Sequence, residues 1–244
     1  MTGPRDPTSP DEELLEAETL TIHSELDDDA RIERVGRELD RGFAALAHVG
    51  KAVSFFGSAR TGPGDPFYAR ARELARRLGE DGFAIVTGGG PGIMEAANRG
   101  AQDAGVLSVG LGIDLPHEER MNDSVDVGLE FHYFFTRKVM FVRYASAFVV
   151  FPGGFGTFDE LFEAATLRQT EKIRYFPIVL FGSAYWGGLV DWLRDPVLEE
   201  GKISPEDVEM LEVTDDPDRV LDVVRAVEHR RPRTAGAGGG GGAS

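Results

Sequence analysis

From Lys51 onward, short unbroken apolar runs alternate with stretches whose apolar residues recur every three or four positions. AVSFF (52–56), FAIVT (83–87), VLSVGLGI (106–113), VGLEFHYF (127–134), AFVVF (147–151) and FPIVLFG (176–182) are expected strands. Between them the spacing predicts helices over 66–80, from Pro91 to about 105, 136–144, 156–170 and 183–194, with a last helix over 217–229. Strands without polar alternation are buried on both faces, and their alternation with helices implies a parallel sheet covered on each side. The expected fold is therefore α/β, a single doubly wound domain. Ligands of such sheets bind beyond the carboxyl ends of the strands, so functional residues are expected after Phe56, Thr87, Ile113 and Phe151.

Ahead of this core, residues 11–48 form an acidic helical extension in which Ile32, Val35, Leu39, Phe43 and Leu46 make one apolar stripe. Residues 1–10 and the glycine-rich 231–244 hold too little apolar surface to offset their ordering entropy and read as disordered tails. The remaining 49–230 is the expected nucleotide-binding domain.

The charge of −16 is uneven: residues 1–30 carry ten acids against Arg5 alone, so the core is only moderately acidic. No basic stripe appears, which argues against a nucleic-acid partner, and no apolar run is long enough to span a bilayer. Cysteine is absent and the five histidines show no i,i+4 pairing, so no metal and no cofactor are expected. A cytoplasmic location is the default expectation.

Two glycine-rich turns carry the candidate chemistry. Thr87-Gly88-Gly89-Gly90-Pro91-Gly92 joins a strand to a helix, and glycines let an anion approach the backbone at the positive end of the helix dipole. The dinucleotide fingerprint fails at Ile93, which weakens a nicotinamide oxidoreductase, and no Gly-Lys-Ser/Thr follows. Phe151-Pro152-Gly153-Gly154-Phe155-Gly156-Thr157-Phe158-Asp159-Glu160 opens the next such helix. Thr157 and Glu160 fit a capping box, which would make them helix punctuation. Alternatively the backbone and Thr157 hold a phosphate while Glu160, on the same face, acts on the sugar beyond. Arg137 and Lys138, set among apolar neighbours, supply positive charge, and a half-buried arginine there needs a phosphate or a carboxylate such as Glu160.

GGGPGIMEAANRGA (88–101), the Arg137-Lys138 pair and PGGFGTFDE (152–160) together resemble the LONELY GUY (LOG) family, over about Lys51 to Gly182. Its members are cytokinin riboside 5′-monophosphate phosphoribohydrolases, long mislabelled as lysine decarboxylases. The resemblance implies a Rossmann-like homodimer that splits AMP or an N6-modified AMP into free base and ribose 5-phosphate. By position, it makes Arg137 and Glu160 the catalytic pair and assigns the phosphate to Gly153, Gly154, Gly156 and Thr157. Ser58, Gly89, Gly90, Glu95 and Lys138 then line the nucleotide site. The family often has Met-His-x-Arg-Lys where this chain has Phe134 and Phe135 in the first two places. A non-catalytic nucleotide sensor is the alternative. Lysine decarboxylation has no support, since none of Lys51, Lys138, Lys172 and Lys202 sits in a Schiff-base context.

Overall fold

In the computed structural model all six expected strands form, and the structure describes residues 6, 9–16, 26–114 and 121–230. They are β1 (Ala52–Phe56), β2 (Ala84–Thr87), β3 (Ser108–Ile113), β4 (Val127–Phe131), β5 (Ala147–Val150) and β6 (Ile178–Phe181). A seventh strand, β7 (Leu211–Thr214), follows a short helix that the apolar pattern does not announce. All pairings are parallel, in the order β4-β3-β2-β1-β5-β6-β7. The strand order reverses beside β1, so the loops leaving β1 and β5 flank a crevice at the carboxyl edge.

The helices are α1 (Pro10–Glu16), α2 (Asp28–Leu46), α3 (Pro66–Glu80), α4 (Ile93–Ala104), α5 (Phe134–Tyr144), α6 (Phe155–Gln169), α7 (Ser183–Trp192), α8 (Pro205–Glu209) and α9 (Pro217–Arg230). One core layer unites Val53, Phe55 and Val149 of the sheet with α3, α4 and α9. The other unites Phe56, Phe148 and Val150 with α2, α5, α6 and α7. Alternate residues of the same strands thus feed opposite cores, which is why those strands are apolar throughout. No described helix is long and apolar enough to cross a membrane.

The expected stripe of α2 meets the core at its C-terminal end, where Leu46 is buried and Leu39 and Phe43 pack against it. Ile32, placed in the apolar stripe, is 69% exposed. The fully buried positions of α2 are Arg31, Glu38, Gly42 and Leu46, so beside its stripe the helix also presents a carboxylate and a glycine to the domain. At Gly42 the backbone lies so close to α5 that a Cβ there would fall 2.7 Å from Met140 Cε. Pro10, expected in a disordered tail, opens α1, which is tied to α2 by an Arg34–Glu13 ion pair of 2.9 Å. The rest of the expected N-terminal tail apart from Asp6 and Ser9, and all of 231–244, lie outside the described residues.

Candidate active site

The loop after β5 begins at buried Phe151, whose N–H still pairs with Phe56 O at 2.8 Å, and passes through Pro152 and Gly153 into α6. Gly154 is the N-cap and has no side chain to offer the first turn. Thr157 and Phe158 both donate their N–H to Gly154 O at 3.0 Å, while the N–H groups of Phe155 and Gly156, one residue into the helix, have no acceptor within it. With the helix dipole behind them they have the geometry and polarity to accept an anion. Gly154 and Gly156 are exposed around them. The capping box is not realised: α6 starts two residues before Thr157, which places that threonine at the third helical position and Glu160 in the second turn. Thr157 instead folds back over the loop, where a Cβ on Gly153 would sit 2.1 Å from its Oγ1. Tyr185 of α7 donates its hydroxyl to Gly153 O at 2.6 Å and fixes the loop from the other side.

Glu160 lies behind this turn, 5% exposed, and its Oε2 has no hydrogen-bond partner. Burial pushes its carboxyl up to about 7, against the pull of Lys138 and Arg137 and with help from Glu163 and Asp159. Desolvation wins because Lys138 is committed elsewhere: its Nζ stands 2.7 Å from Asp159 Oδ1 and 2.8 Å from Glu163 Oε2. Burial opposes the Lys138 charge, but those two carboxylates hold its pKa above the ordinary lysine value. A lysine so held is an ammonium ion, unsuited to Schiff-base chemistry.

Arg137 reaches in from α5. Its Nε donates to Leu111 O at 2.8 Å, and its guanidinium lies over the Phe141 ring at 5.2 Å. The outer nitrogens extend to the turn after β2, where a Cβ on Gly88 would meet Nη2 at 2.8 Å and Met94 Sδ at 2.8 Å. Gly88 is therefore glycine to admit the arginine, and Met94 fills the space beside it.

The β2 turn is held by a buried polar network. Thr87 Oγ1 accepts from Gly89 N at 2.9 Å and donates to Asn98 Oδ1 at 2.7 Å, and Asn98 Nδ2 donates to Ser108 Oγ at 2.8 Å. Asn122 Nδ2 spans the carbonyls of Gly89 and Gly90 at 3.0 and 2.9 Å. Pro91 stands before the helix rather than in its first turn, because Gly92 is the N-cap. Gly92 has φ of 70°, and a Cβ there would lie 2.3 Å from Ser58 O, so no other residue fits. Ser58 ties three loops together: its N–H donates to Pro152 O at 2.9 Å and its carbonyl accepts from Ile93 N at 3.1 Å. Its Oγ is turned to Arg60 N at 3.0 Å.

The structure thus gathers Gly153, Gly154, Gly156, Thr157, Glu160, Arg137, Lys138, Ser58, Gly89 and Gly90 at one edge of the sheet. Glu95 stands in the first turn of α4, after the β2 turn. It pairs with Arg99 at 2.6 Å on α4, beside Tyr68 of α3 in the other core layer. Sequence reasoning took Gly88 only as part of the glycine turn and singled out none of Asn98, Asn122 and Tyr185, whose roles arise from contacts between separate elements.

A family model described as possible lysine decarboxylase matches residues 94–224. A cytokinin riboside 5′-monophosphate phosphoribohydrolase of Mycobacterium tuberculosis is 34% identical over 173 residues, which cover 66% of this chain and 87% of that protein. A probable enzyme of the same name from Oryza sativa subsp. japonica is 31% identical over 163 residues, 64% of this chain and 63% of its own length. Another from Arabidopsis thaliana is 28% identical, with 63% of this chain and 73% of the relative covered. Among solved structures, the molybdenum cofactor carrier protein of Chlamydomonas reinhardtii superposes with a TM-score of 0.54 at 21% identity, covering 74% of this chain and 99% of that one. The molybdenum cofactor binding protein of Rippkaea orientalis gives 0.52 at 20% identity, covering 73% and 96%. At such identity these two structures establish the shared fold alone.

Proposed function

This chain belongs to the LONELY GUY (LOG) family, and on that premise we propose that it hydrolyses the N-glycosidic bond of AMP or an N6-modified AMP. The observation that carries the reading is Glu160, a buried carboxyl with an unpartnered oxygen and a pKa near neutrality, beside the uncapped start of α6. The 5′-phosphate would rest on the Phe155 and Gly156 N–H groups with Thr157 alongside, anchoring a part of the substrate that does not react. That places the ribose towards Glu160. As the C1′–N bond breaks, positive charge grows at C1′ and the ring oxygen, and an ionised Glu160 stabilises it. Water adds to C1′ and gives its proton to Glu160, which passes that proton to the departing base nitrogen and is ionised again. Arg137 favours the ionised form of Glu160 and bridges to the β2 turn at Gly88.

Phe134, Phe135 and Val139 on α5 and Phe162 on α6 are 39–44% exposed in the single chain. A second copy would cover them, so the reading includes a homodimer, to be checked by sedimentation. The central test incubates the protein with AMP and with N6-isopentenyl-AMP and measures free base and ribose 5-phosphate. Calorimetric binding of both nucleotides without base release would favour a sensor instead.

A further inference from the structure

We infer that Glu38, on the α2 helix that precedes the matched core, is a positioning residue for Arg137. The inference rests on the proposed role of Arg137 beside Glu160. Helix α5 has no side-chain cap of its own, since its N-cap is Tyr133. The approach to its first turn is held instead by side chains of α2 and α1. Glu38 is 5% exposed, and its Oε1 accepts from His132 N at 2.7 Å and lies 2.9 Å from His132 Nδ1. Its Oε2 accepts from Tyr133 N at 3.3 Å and from the Thr136 hydroxyl. Asp11 of α1 accepts from Phe134 N at 3.2 Å, and Gly42 seats Met140 one turn further along. One carboxylate therefore grips the two residues before α5 and Thr136, the residue next to Arg137.

The grip matters because Arg137 has little slack. Its guanidinium passes between Leu111 O, the Phe141 ring and Gly88, where even one added carbon would collide. A small rotation or slide of α5 would withdraw it. A carboxylate accepts on both oxygens, whereas an amide accepts on one, so glutamine at 38 must turn an NH2 towards either the His132 or the Tyr133 donors. Glu38 also lies outside residues 94–224, so the family signature carries no trace of it.

A cap that only stabilises the helix would lower the melting temperature and nothing else. A positioning residue must also change what Arg137 does to Glu160. Glu160 is faced by Arg137, Lys138, Glu163 and Asp159, and Arg137 is one of the two groups that favour its ionised form. Moving Arg137 away should raise the Glu160 pKa, whereas deleting the negative charge of Glu38 could act on it through space only by lowering it. The test compares Glu38→Gln and Thr136→Val, each alone and combined with Arg137→Ala. The Glu160 carboxyl is followed by carbon NMR without substrate and assigned with Glu160→Gln. In the presence of Arg137, the Glu160 pKa should rise by about half a pH unit or more, and kcat/KM for AMP should fall about tenfold or more. In the Arg137→Ala background neither should change further. An unmoved or lowered Glu160 pKa in the single variants, or an equal loss with Arg137 already removed, would overturn the inference. Thr136→Val removes only a hydroxyl and carries the test if Glu38→Gln does not fold. If the wild-type protein releases no base from AMP, the hydrolase reading fails while the NMR comparison still decides the role of Glu38.

Discussion

Glu160→Gln should make the protein more stable and catalytically inert, and the gain in stability should grow with pH. The carboxyl sits at 5% exposure with one oxygen unpartnered, and burial lifts its pKa from an ordinary 4.5 to about 7. Below 4.5 the carboxyl is neutral in both folded and unfolded chains and has no effect. Between 4.5 and 7 the unfolded chain has released the proton while the folded chain still holds it, so stability falls as pH rises; above 7 the loss is complete. The gap between 4.5 and about 7 corresponds to about 3 kcal/mol. Glutamine has nearly the same shape and no charge, so it escapes that cost. The variant's advantage in denaturant should therefore widen by about 2.5 kcal/mol between pH 5 and pH 8. For a domain of this size that is a rise in melting temperature of about 5–10 °C relative to wild type. Paired urea titrations at the two pH values, with base release from AMP alongside, measure both effects. A glutamine variant whose stability tracks wild type across that range would show that the Glu160 charge is already compensated, and the physical case for Glu160 as a poised base would fail.

Because turnover needs ionised Glu160, kcat/KM for AMP should climb with pH to a plateau beyond about 7, above the substrate phosphate ionisation near about 6; a flat profile from pH 5.5 to 8.5 would contradict this. Gly88→Ala forces Arg137 Nη2 and Met94 Sδ from 2.8 Å, and since both are flexible ends, stability should change by under about 1 kcal/mol while kcat/KM drops about tenfold. Gly153→Ala meets Thr157 Oγ1 at 2.1 Å and should lower stability by about 1–3 kcal/mol and raise the KM for AMP, both read from one preparation by thermal melts and kinetics. Tyr185→Phe removes the 2.6 Å bond to Gly153 O, worth about 1 kcal/mol; KM should rise a few-fold with kcat nearly unchanged, and an unaffected KM would show that the loop holds its shape without the phenol.

The division between what the sequence shows and what it hides follows from the range of the interactions. AVSFF and AFVVF are legible as buried strands because burial on both faces demands an apolar residue at every position. The two glycine turns are legible because their chemistry is local, with ligand donors and helix start lying within a few residues. Edge strand β7 is not, since its residues are only half-buried and LEVT alternates with charge. Glu38 shows the same limit more sharply. Amphipathic periodicity treats a glutamate as a solvent marker, so it leaves Glu38 off the apolar stripe, yet Glu38 is buried because the segment from His132 to Thr136 sets four polar partners against it, 94 to 98 residues away. The capping-box reading of Thr157 and Glu160 failed for a related reason. A box needs the helix to begin at Thr157, but Gly154 and the Tyr185–Gly153 bond start it earlier, leaving Glu160 buried without the backbone partner that would have quieted it. The pattern that conceals these residues from the sequence also leaves Glu160 reactive, because the charges that set its environment come from α5 and α6 together.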